Sequence, residues 1–242
     1  MKISIIIPAY NESERIEKTL DVVYRYLSLI YRDFEICVVN DGSSDSTVKV
    51  IQNSLVSRAN IKLFNNERNR GKGYAVRFGL GKCTGDIIIF LDADLAVPVY
   101  EISGIIQAIQ AGADMAIGAR YTNDNTKKLN RTRIRNILSR TFNLFTRLAT
   151  GLKFKDTQCG LKGMTRATAK LIIDNSRFDR FGFDVEWLWV LQSNNRKIIE
   201  VPVSYTDIKG SKIHIIKTSF LMLCDLVKLF FRRKFTRTTT EE

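Results

Sequence analysis

The chain of 242 residues has few of the side chains that build zinc sites and disulfide frameworks. It contains one histidine, three prolines and four cysteines. The cysteines are widely spaced and form no CxxC pair, which argues against a zinc site. Cys37 lies in an apolar run, so we expect it to be a buried thiol. This cysteine pattern suits a reducing compartment.

Long apolar runs are also missing, and so is an excess of acidic residues. No stretch reaches the roughly 18–20 uninterrupted apolar residues that a membrane-spanning helix needs. The opening MKISIIIP predicts a strand, not a signal peptide. Lysine and arginine total 38 against 25 aspartates and glutamates, for a formal net charge of +13. The excess, concentrated in 127–147 and 209–237, indicates a polyanionic partner: nucleic acid, an anionic membrane surface or phosphorylated substrates.

Short apolar runs alternate with stretches of helical spacing through the first half of the chain. We expect strands at 3–7, 34–39, 61–64, 86–91 and 114–118, and helices at 11–29, 46–55, 73–81 and 101–111. The alternation predicts βαβ units and an α/β fold with a mostly parallel, doubly wound sheet. Asn11 or Ser13 is expected to cap the first helix.

Polar residues follow three of the expected strands, at 8–12, 40–43 and 92–94. Ligands of open α/β sheets bind outside the carboxyl ends of the strands, so these clusters are predicted to form one site. Asp92 and Asp94 can both reach one cation, and Mg²⁺ or Mn²⁺ takes carboxylate oxygens together with substrate phosphate. The alternative is an acidic loop that caps the next helix.

Two further segments bear on this site. Asp41 is a candidate hydrogen-bond acceptor for a nucleobase, although the 40–47 segment is also ordinary turn and helix-cap chemistry. The NRGKG segment at 69–73 places two cations between glycines ahead of a helix, which suits contact with a diphosphate. A solvated loop is the alternative, and the spacing is not that of a Walker A loop.

Eight short strings follow one another from about residue 3 to residue 212: IIIPAYNE, VVNDGSSDST, NRGKGYAVRFG, FLDADL, GAR, DTQCGLKGMTR, FGFDVEW and EVPVSY…GSK. Together they resemble the family 2 glycosyltransferases of the A-type fold. The nearest likeness is to the polyprenyl-phosphate sugar transferases, either dolichyl-phosphate mannose synthase or dolichyl-phosphate β-glucosyltransferase. DTQCG, FGFDVEW and GSK favour the glucosyltransferase branch. Ala96 departs from the mannose synthases, which often have an amide ligand to the metal there.

The resemblance implies roles for the matching residues. Asp92 and Asp94 would hold Mg²⁺ or Mn²⁺, and Arg120 would approach the donor phosphate. Asp156 would lie beside the transferred sugar and either position it or assist deprotonation; with Asp94 and Arg120 it makes up the expected catalytic set. Asp184 and Glu186 would form a second acidic cluster. The full donor-binding set implied is Pro8, Tyr10, Glu12, Asp41, Lys72, Asp92, Ala93, Asp94 and Arg120.

Two segments, 131–154 and 213–235, interleave basic and apolar residues at helical spacing. This pattern is typical of helices that lie in a membrane interface, while a core-facing helix with a solvated basic face is the alternative. We therefore expect a catalytic domain over 1–212, with an amphipathic helix at about 131–150, and a basic amphipathic C-terminal helix with a short tail over 213–242. The acceptor phosphate would be held by Arg131, Arg133, Arg135, Lys209 and Lys212.

The resulting expectation is an inverting hexose transfer to a polyprenyl or dolichyl phosphate, by an enzyme peripheral to the cytoplasmic face of a membrane. Glucose from UDP-glucose is favoured, with mannose from GDP-mannose next. A phosphate monoester is largely dianionic at pH 7, so such an acceptor needs little help from a general base. Nucleic acid is not expected as a partner, because aromatic and basic residues do not interleave and no helix-turn-helix is evident. The alternatives are transfer to a soluble or polysaccharide acceptor and a non-catalytic nucleotide-binding module at a membrane.

Overall fold

The computed structural model describes residues 1–56, 58–120, 129–130, 133–208 and 221–231, with the side chains of 129–140 and 142 left out. The first half contains β1 (Ile3–Ala9), α1 (Ile16–Ile30), β2 (Phe34–Asn40), α2 (Thr47–Leu55), β3 (Ile61–Asn65), α3 (Lys72–Lys82) and β4 (Ile87–Leu91). A 3-10 turn (Val99–Glu101) leads to α4 (Ile102–Gln110), β5 (Met115–Ala119), β6 (Leu129–Asn130) and α5 (Arg133–Thr150). There follow β7 (Leu161–Thr165), α6 (Arg166–Asn175), α7 (Phe183–Ser193), β8 (Ile198–Pro202), β9 (Tyr205–Thr206) and α8, over 221–231.

Seven strands form the main sheet in the order β3-β2-β1-β4-β7-β5-β8, and β6 pairs with β9 in a second, two-stranded sheet. The expected α/β fold with a mostly parallel sheet is confirmed. β7 is the exception, since it runs antiparallel to both β4 and β5. Its first residue, Leu161, therefore pairs with Leu91 at the end of β4. The loop that enters β7 consequently lies at the edge where the parallel strands leave the sheet.

Both faces of the sheet are covered, as a doubly wound fold requires. Along β1, Ile5 and Ile7 belong to one core cluster and Ile6 to the other, because side chains alternate between the two faces of a strand. Helix α1 covers the first face with Ile16, Leu20, Val23 and Leu27, which recur every three or four residues. The second face carries the largest fully buried side chain, Trp187 of α7.

The expected cap of the first helix is wrong, because α1 begins five residues later than Asn11. Asn11 instead adopts a left-handed conformation, with a φ of 55°, which asparagine tolerates better than most residues. Its side-chain oxygen accepts a hydrogen bond of 2.8 Å from the Ser44 backbone. Ser13 donates its hydroxyl proton to Asp45. Both side chains thus join the loops after β1 and β2 and leave the helix end to Arg15, which makes no side-chain cap bond.

Helix α5 is inverted in polarity over its described second half. Asn143, Thr146 and Thr150 are buried, whereas the apolar Leu144, Phe145 and Leu148 are exposed, by 50%, 53% and 71% respectively. Asn143 donates to the Lys155 carbonyl and accepts from the Thr157 hydroxyl, and the Thr150 hydroxyl donates to the Thr146 carbonyl. A core-facing apolar side is therefore wrong for this half of the helix.

Helix α8 is apolar on two sides. Met222, Leu226 and Leu229 are buried against the domain. Leu223, Val227, Phe230 and Phe231 are exposed. At the helix's inner side, Asp225 packs on Gly182, where an added Cβ would lie 2.6 Å from a carboxylate oxygen. None of the described helices combines the length and the apolar character needed to cross a bilayer.

Candidate active site

The Asp92–Asp94 turn follows the fully buried strand β4 and is packed against the loop that enters β7. The Asp92 N–H donates to the Gly160 carbonyl at 3.0 Å. A Cβ on Gly160 would lie 2.1 Å from Asp92 Oδ2, so only glycine allows this approach. Between the two acids, Ala93 is buried and its carbonyl accepts from the Thr19 hydroxyl at 2.6 Å. The turn is therefore held by its backbone, and its carboxylates are aimed by the packing around them.

The electrostatics of the two carboxylates suit a divalent cation. Burial raises the pKa of Asp94, and the nearby charge of Asp92 raises it further. The Ala96 N–H donates to Asp94 Oδ1 at 3.0 Å and opposes this rise only in part. Two half-buried carboxylates that repel each other are a donor set that Mg²⁺ or Mn²⁺ would stabilise. At position 96 the chain offers this set a backbone N–H, and no side-chain ligand.

Lys72, the first residue of α3, supplies the positive charge nearest to this turn among the described contacts. Its Nζ lies 2.6 Å from Asp92 Oδ1 and 5.1 Å from the centroid of the Phe90 ring. Burial opposes the charged form of the amine, but Asp92 and Asp184 outweigh it and raise the pKa of Lys72. The lysine therefore stays protonated inside a group of acids.

Arg120 and Asp156 are paired with each other in a buried, bidentate contact. Arg120 Nε lies 2.6 Å from Asp156 Oδ2, and one terminal nitrogen lies 2.8 Å from Oδ1. The Arg120 backbone N–H also donates to Oδ2, at 3.0 Å. Burial disfavours the carboxylate, yet the guanidinium outweighs this effect and lowers the pKa of Asp156. A carboxylate with a lowered pKa is a weak proton acceptor.

Asp41 is only 3% exposed and organises the loop that leads into α3. Its carboxylate accepts from the Asn66 side chain at 2.9 Å and from the backbones of Arg70 and Gly71 at 3.0 and 2.7 Å. Gly71 has a φ of 111° and a Cβ there would lie 2.4 Å from the Asp179 carbonyl, so a glycine is required. Asp41 thus places the loop that ends at Lys72, and one lone pair of its carboxylate remains for a ligand.

Residues 4–172 match glycosyl transferase family 2. The chain belongs to this family. This family 2 glycosyltransferase is 34% identical to a dolichyl-phosphate beta-glucosyltransferase of Trichomonas vaginalis, over 95% of its own length and 71% of the relative's. It is 35% identical to the dolichyl-phosphate beta-glucosyltransferase of Dictyostelium discoideum, over 95% of its own length and 74% of the relative's.

The fold of this glycosyltransferase is shared with a solved structure of glucosyl-3-phosphoglycerate synthase from Mycobacterium tuberculosis in complex with UDP. The TM-score is 0.71 at 19% identity, with 95% of this chain and 80% of that chain covered. A second structure of that synthase, in complex with Mn²⁺, UDP and glucosyl-3-phosphoglycerate, also gives a TM-score of 0.71, at 18% identity over 94% of this chain and 79% of that one. The likeness confirms the expected A-type glycosyltransferase fold.

The remaining predicted donor residues of the glycosyltransferase lie at the same edge of the sheet. Pairing of Pro8 with Val39 sets the ends of β1 and β2 level. Pro8 is half-buried and Tyr10 is 45% exposed. The Glu12 carboxylate lies 2.6 Å from Arg15 Nε, and the backbone N–H of Glu12 donates to the Thr47 hydroxyl. The structure therefore brings this segment to the site edge.

The structure does not bring Asp184 and Glu186 together, because residues two apart on a helix point in different directions. Asp184 accepts from Lys162 Nζ at 2.5 Å, and burial raises its pKa. Glu186 is fully buried and accepts from the backbone N–H groups of Arg177 and Phe178 at 2.8–2.9 Å. The expected second acidic cluster is thus one acid near Lys72 and one acid that holds a loop.

Sequence reasoning missed Lys162. It is fully buried on β7, where its ammonium donates to Asp184 and, at 2.7 Å, to the Cys159 carbonyl. The ring of Phe90 lies 5.9 Å from this ammonium. A lysine inside the otherwise apolar string LKGM was the available signal, since lysine is almost never fully buried unless it is paired.

The expected acceptor-phosphate residues fall largely outside what the structure describes. Arg131, Lys209 and Lys212 are not among the described residues, and for Arg133 and Arg135, at the start of α5, only the backbone is.

A second polar cluster lies at the opposite edge of the sheet, where the strands begin. Glu35 accepts from the Ser4 hydroxyl at 2.6 Å, from the Thr84 backbone at 2.6 Å and from Lys62 Nζ at 2.8 Å. Burial opposes ionisation of Glu35, but these donors together lower its pKa to about 2. With Cys37 and Cys83 it forms the one group of three metal-ligand side chains found among the described residues. All cysteines are free, and Cys37 is buried as expected.

Proposed function

We propose that this glycosyltransferase transfers glucose, with inversion, from UDP-glucose to dolichyl or another polyprenyl phosphate at the cytoplasmic face of a membrane. The observation that carries the proposal is the pair of crowded acids, Asp92 and Asp94, beside Lys72 at the carboxyl edge of the sheet. The dolichyl-phosphate beta-glucosyltransferases among its relatives support the choice of sugar and acceptor. Mannose from GDP-mannose is the second candidate donor group.

On the donor side, Asp92 and Asp94 would hold Mg²⁺ or Mn²⁺, which supplies positive charge to the leaving diphosphate when bound. The Mn²⁺ and UDP of the structural neighbour support this assignment. Pro8, Tyr10, Glu12 and Asp41 would contact the nucleoside. Ala93 keeps the turn in place, and Lys72 would lie at the diphosphate.

Arg120 and Asp156 would act as one unit at the transferred sugar and its phosphate. Because the guanidinium lowers the pKa of Asp156, the carboxylate is better suited to positioning than to accepting a proton. The acceptor is a phosphate monoester with a second pKa of about 6, so it is already largely dianionic at neutral pH. Its oxygen can attack the anomeric carbon without a general base, and the nucleoside diphosphate leaves from the opposite face.

The acceptor side is supported by the apolar surfaces of α5 and α8. Asn143 of α5 bonds the Lys155 carbonyl, and Gln158 donates to Met222 of α8 at 3.6 Å, so both helices flank the loop that carries Asp156. Exposed leucine and phenylalanine side chains beside an active site favour a lipid surface. Arg131, Arg133, Arg135, Lys209 and Lys212 would hold the lipid phosphate. We assign 1–212 to catalysis and 213–242 to a basic amphipathic appendage.

The test incubates the purified protein with UDP-glucose or GDP-mannose, with and without dolichyl phosphate in vesicles, and with Mn²⁺, Mg²⁺ or EDTA. We expect a β-linked glucosyl lipid that forms only with lipid phosphate and a divalent metal. No lipid-linked sugar from either donor contradicts the proposal. Transfer to a sugar acceptor without lipid indicates the soluble-acceptor alternative, and donor binding without turnover indicates a non-catalytic module.

A matched pair of variants tests the membrane surface separately. Leu148→Ser removes a side chain that is 71% exposed on α5, whereas Val56→Ser removes one that is 89% exposed at the end of α2. We expect the first to lower the partition constant for anionic vesicles, measured by sedimentation, about fivefold, because the loss of one apolar side chain removes about 1 kcal/mol of burial in the interface. The second is expected to leave it unchanged. Equal effects argue against membrane contact through α5.

A further inference from the structure

The two oxygens of Asp92 are in different situations. Oδ2 is directed at the backbone of residue 160, where even a methyl group would come within 2.1 Å of it. Oδ1 is the oxygen in contact with Lys72, at 2.6 Å. The Asp92 side chain retains 29% exposure and that of Lys72 23%, so solvent reaches this ion pair. An incoming cation therefore approaches Asp92 on the side where the ammonium lies.

A divalent ion and the Lys72 ammonium compete for this oxygen. Oxygen ligands lie about 2.0–2.1 Å from Mg²⁺, so an ion on the lone pair that the ammonium uses, 2.6 Å from the same oxygen, must displace the nitrogen. An ion on the other lone pair would share one carboxylate oxygen with the ammonium, and the two cations would repel each other. The Lys72 ammonium therefore opposes metal binding at Asp92 unless it moves.

The surroundings of Lys72 provide alternative anionic partners. Asp184 and Asp94 both attract its charge. Asp184 is already bound through Oδ1 to Lys162, whose ammonium is fixed by the Cys159 carbonyl. Lys162 is buried and cannot leave, whereas Lys72 is half-buried on a flexible stem beside the Phe90 ring. Lys72 is therefore the exchangeable one of the two cations.

We propose that Lys72 is a displaceable counter-ion, which neutralises Asp92 in the absence of metal and competes with the divalent cation for this carboxylate. The inference rests on the metal site at Asp92 and Asp94 that belongs to the proposed function. Its consequence is that metal alone binds weakly. A nucleoside diphosphate strengthens metal binding, because its oxygens offer the displaced ammonium a new partner. By linkage, metal and nucleotide each raise the affinity of the other by the same factor.

The experiment measures free Mn²⁺ by electron paramagnetic resonance in titrations of the full chain without nucleotide. Lys72→Met keeps the apolar stem and removes the charge. We expect its Mn²⁺ dissociation constant to fall about tenfold, since a broken ion pair and a cation–cation repulsion are both removed. Lys72→Arg keeps the competitor and should stay within about twofold of the wild type. Lys170→Met, which breaks a surface pair with Asp174, is the matched control and should also stay there.

Unchanged or weaker Mn²⁺ binding by Lys72→Met, with a wild-type melting temperature, overturns the inference. If that variant does not fold, Lys72→Gln takes its place with the same expected result. Adding UDP should tighten Mn²⁺ binding more in the wild type than in Lys72→Met, and an equal gain also overturns it. Absence of Mn²⁺ binding in every protein removes the metal assignment and the inference with it. If Lys72 competes with Mn²⁺ but the protein transfers no sugar to any acceptor, the proposed function is wrong and the inference about Lys72 stands.

Discussion

Glu35 and Asp94 are both acids at the ends of buried strands, yet their surroundings shift their pKa values in opposite directions. Glu35, at the edge where the strands begin, has hydrogen-bond donors on both oxygens and a pKa lowered to about 2. Asp94, at the edge where the strands end, has one backbone donor, a second acid beside it and a raised pKa. The chain thus supplies the first carboxylate with all the positive charge it needs and leaves the second short of it.

The difference separates a structural acid from a ligand-binding acid. A carboxylate that is fully satisfied by its own chain stabilises the fold and has little capacity for a ligand. Crowded carboxylates with raised pKa values cost stability, and they persist where a bound cation or substrate provides the missing charge. The contrast between the two acids therefore favours a ligand site at the carboxyl edge of the sheet.

The largest expected effect is the loss of activity on substitution of Asp94. Asp94→Asn should lower kcat/KM for glucosyl transfer about 10²–10³-fold, because it removes a proposed metal ligand and with it charge stabilisation of the leaving diphosphate. The free energy of unfolding should stay the same or rise slightly, since repulsion with Asp92 is removed. Steady-state kinetics and urea unfolding measure the two quantities. Full activity in this variant would falsify the metal assignment.

Substitution of Glu35 should lower stability and leave activity unchanged. Glu35→Gln is expected to lower the free energy of unfolding by about 2 kcal/mol at pH 7, because a carboxylate with a strongly lowered pKa is stabilised by folding. Its kcat at a temperature where the variant is folded should match the wild type. A loss of activity without a loss of stability would mean that the two edges do not divide the work in this way.

Acid titration follows from the same pKa. Glu35 has an unfolded pKa of about 4.5 and a folded pKa of about 2, so its contribution is complete above the first value. It is lost as the pH falls through the second, because the unfolded state then binds the proton more readily. Wild-type stability should therefore decline from about pH 4.5 to about pH 2, and Glu35→Gln should decline less. Parallel curves in urea unfolding at several pH values would contradict this assignment.

A smaller effect is expected from a change in the packing that orients Asp92. Gly160→Ala places a methyl group within 2.1 Å of Asp92 Oδ2 and forces that side chain to shift. We expect the apparent Mn²⁺ affinity in the transfer assay to fall about tenfold, a cost typical of one added methyl group at a close contact. Gly81→Ala, where nothing lies within 4 Å of the added methyl group, is the control and should leave the apparent Mn²⁺ affinity unchanged. Similar affinities in the two variants would show that Asp92 is not aimed by this contact.

Much of the site could be predicted because the period of apolar residues places strand ends. Asp41, Asp92 and the segment after β1 follow buried strands, so their meeting at one edge follows from a parallel sheet. The reversal of β7 could not be predicted, because the local pattern of a strand does not fix its direction. This reversal is what brings Gly160 to Asp92 and places Lys162 beneath the site.

Other failures have local causes. Asn11 has the composition of a helix cap, but the left-handed backbone and the Ser44 contact claim its side chain for another loop. The distance between Asp184 and Glu186 in the sequence already argues against one cluster, since two residues span about 200° of a helix. The sequence could not decide whether the apolar side of α5 faces the core or the outside. Periodicity shows that a helix has two different faces, but it does not show which face is packed.

The Arg120–Asp156 pair has a consequence for how the chain is assembled. Arg120 and Asp156 flank the segment 121–155, which contains α5, and three hydrogen bonds join the two flanking residues. A segment whose two flanking residues are bonded to each other can change in length and surface while its end points stay fixed. Replacing this segment by that of another family member would therefore test whether it influences the choice of acceptor while the Arg120–Asp156 pair stays in place.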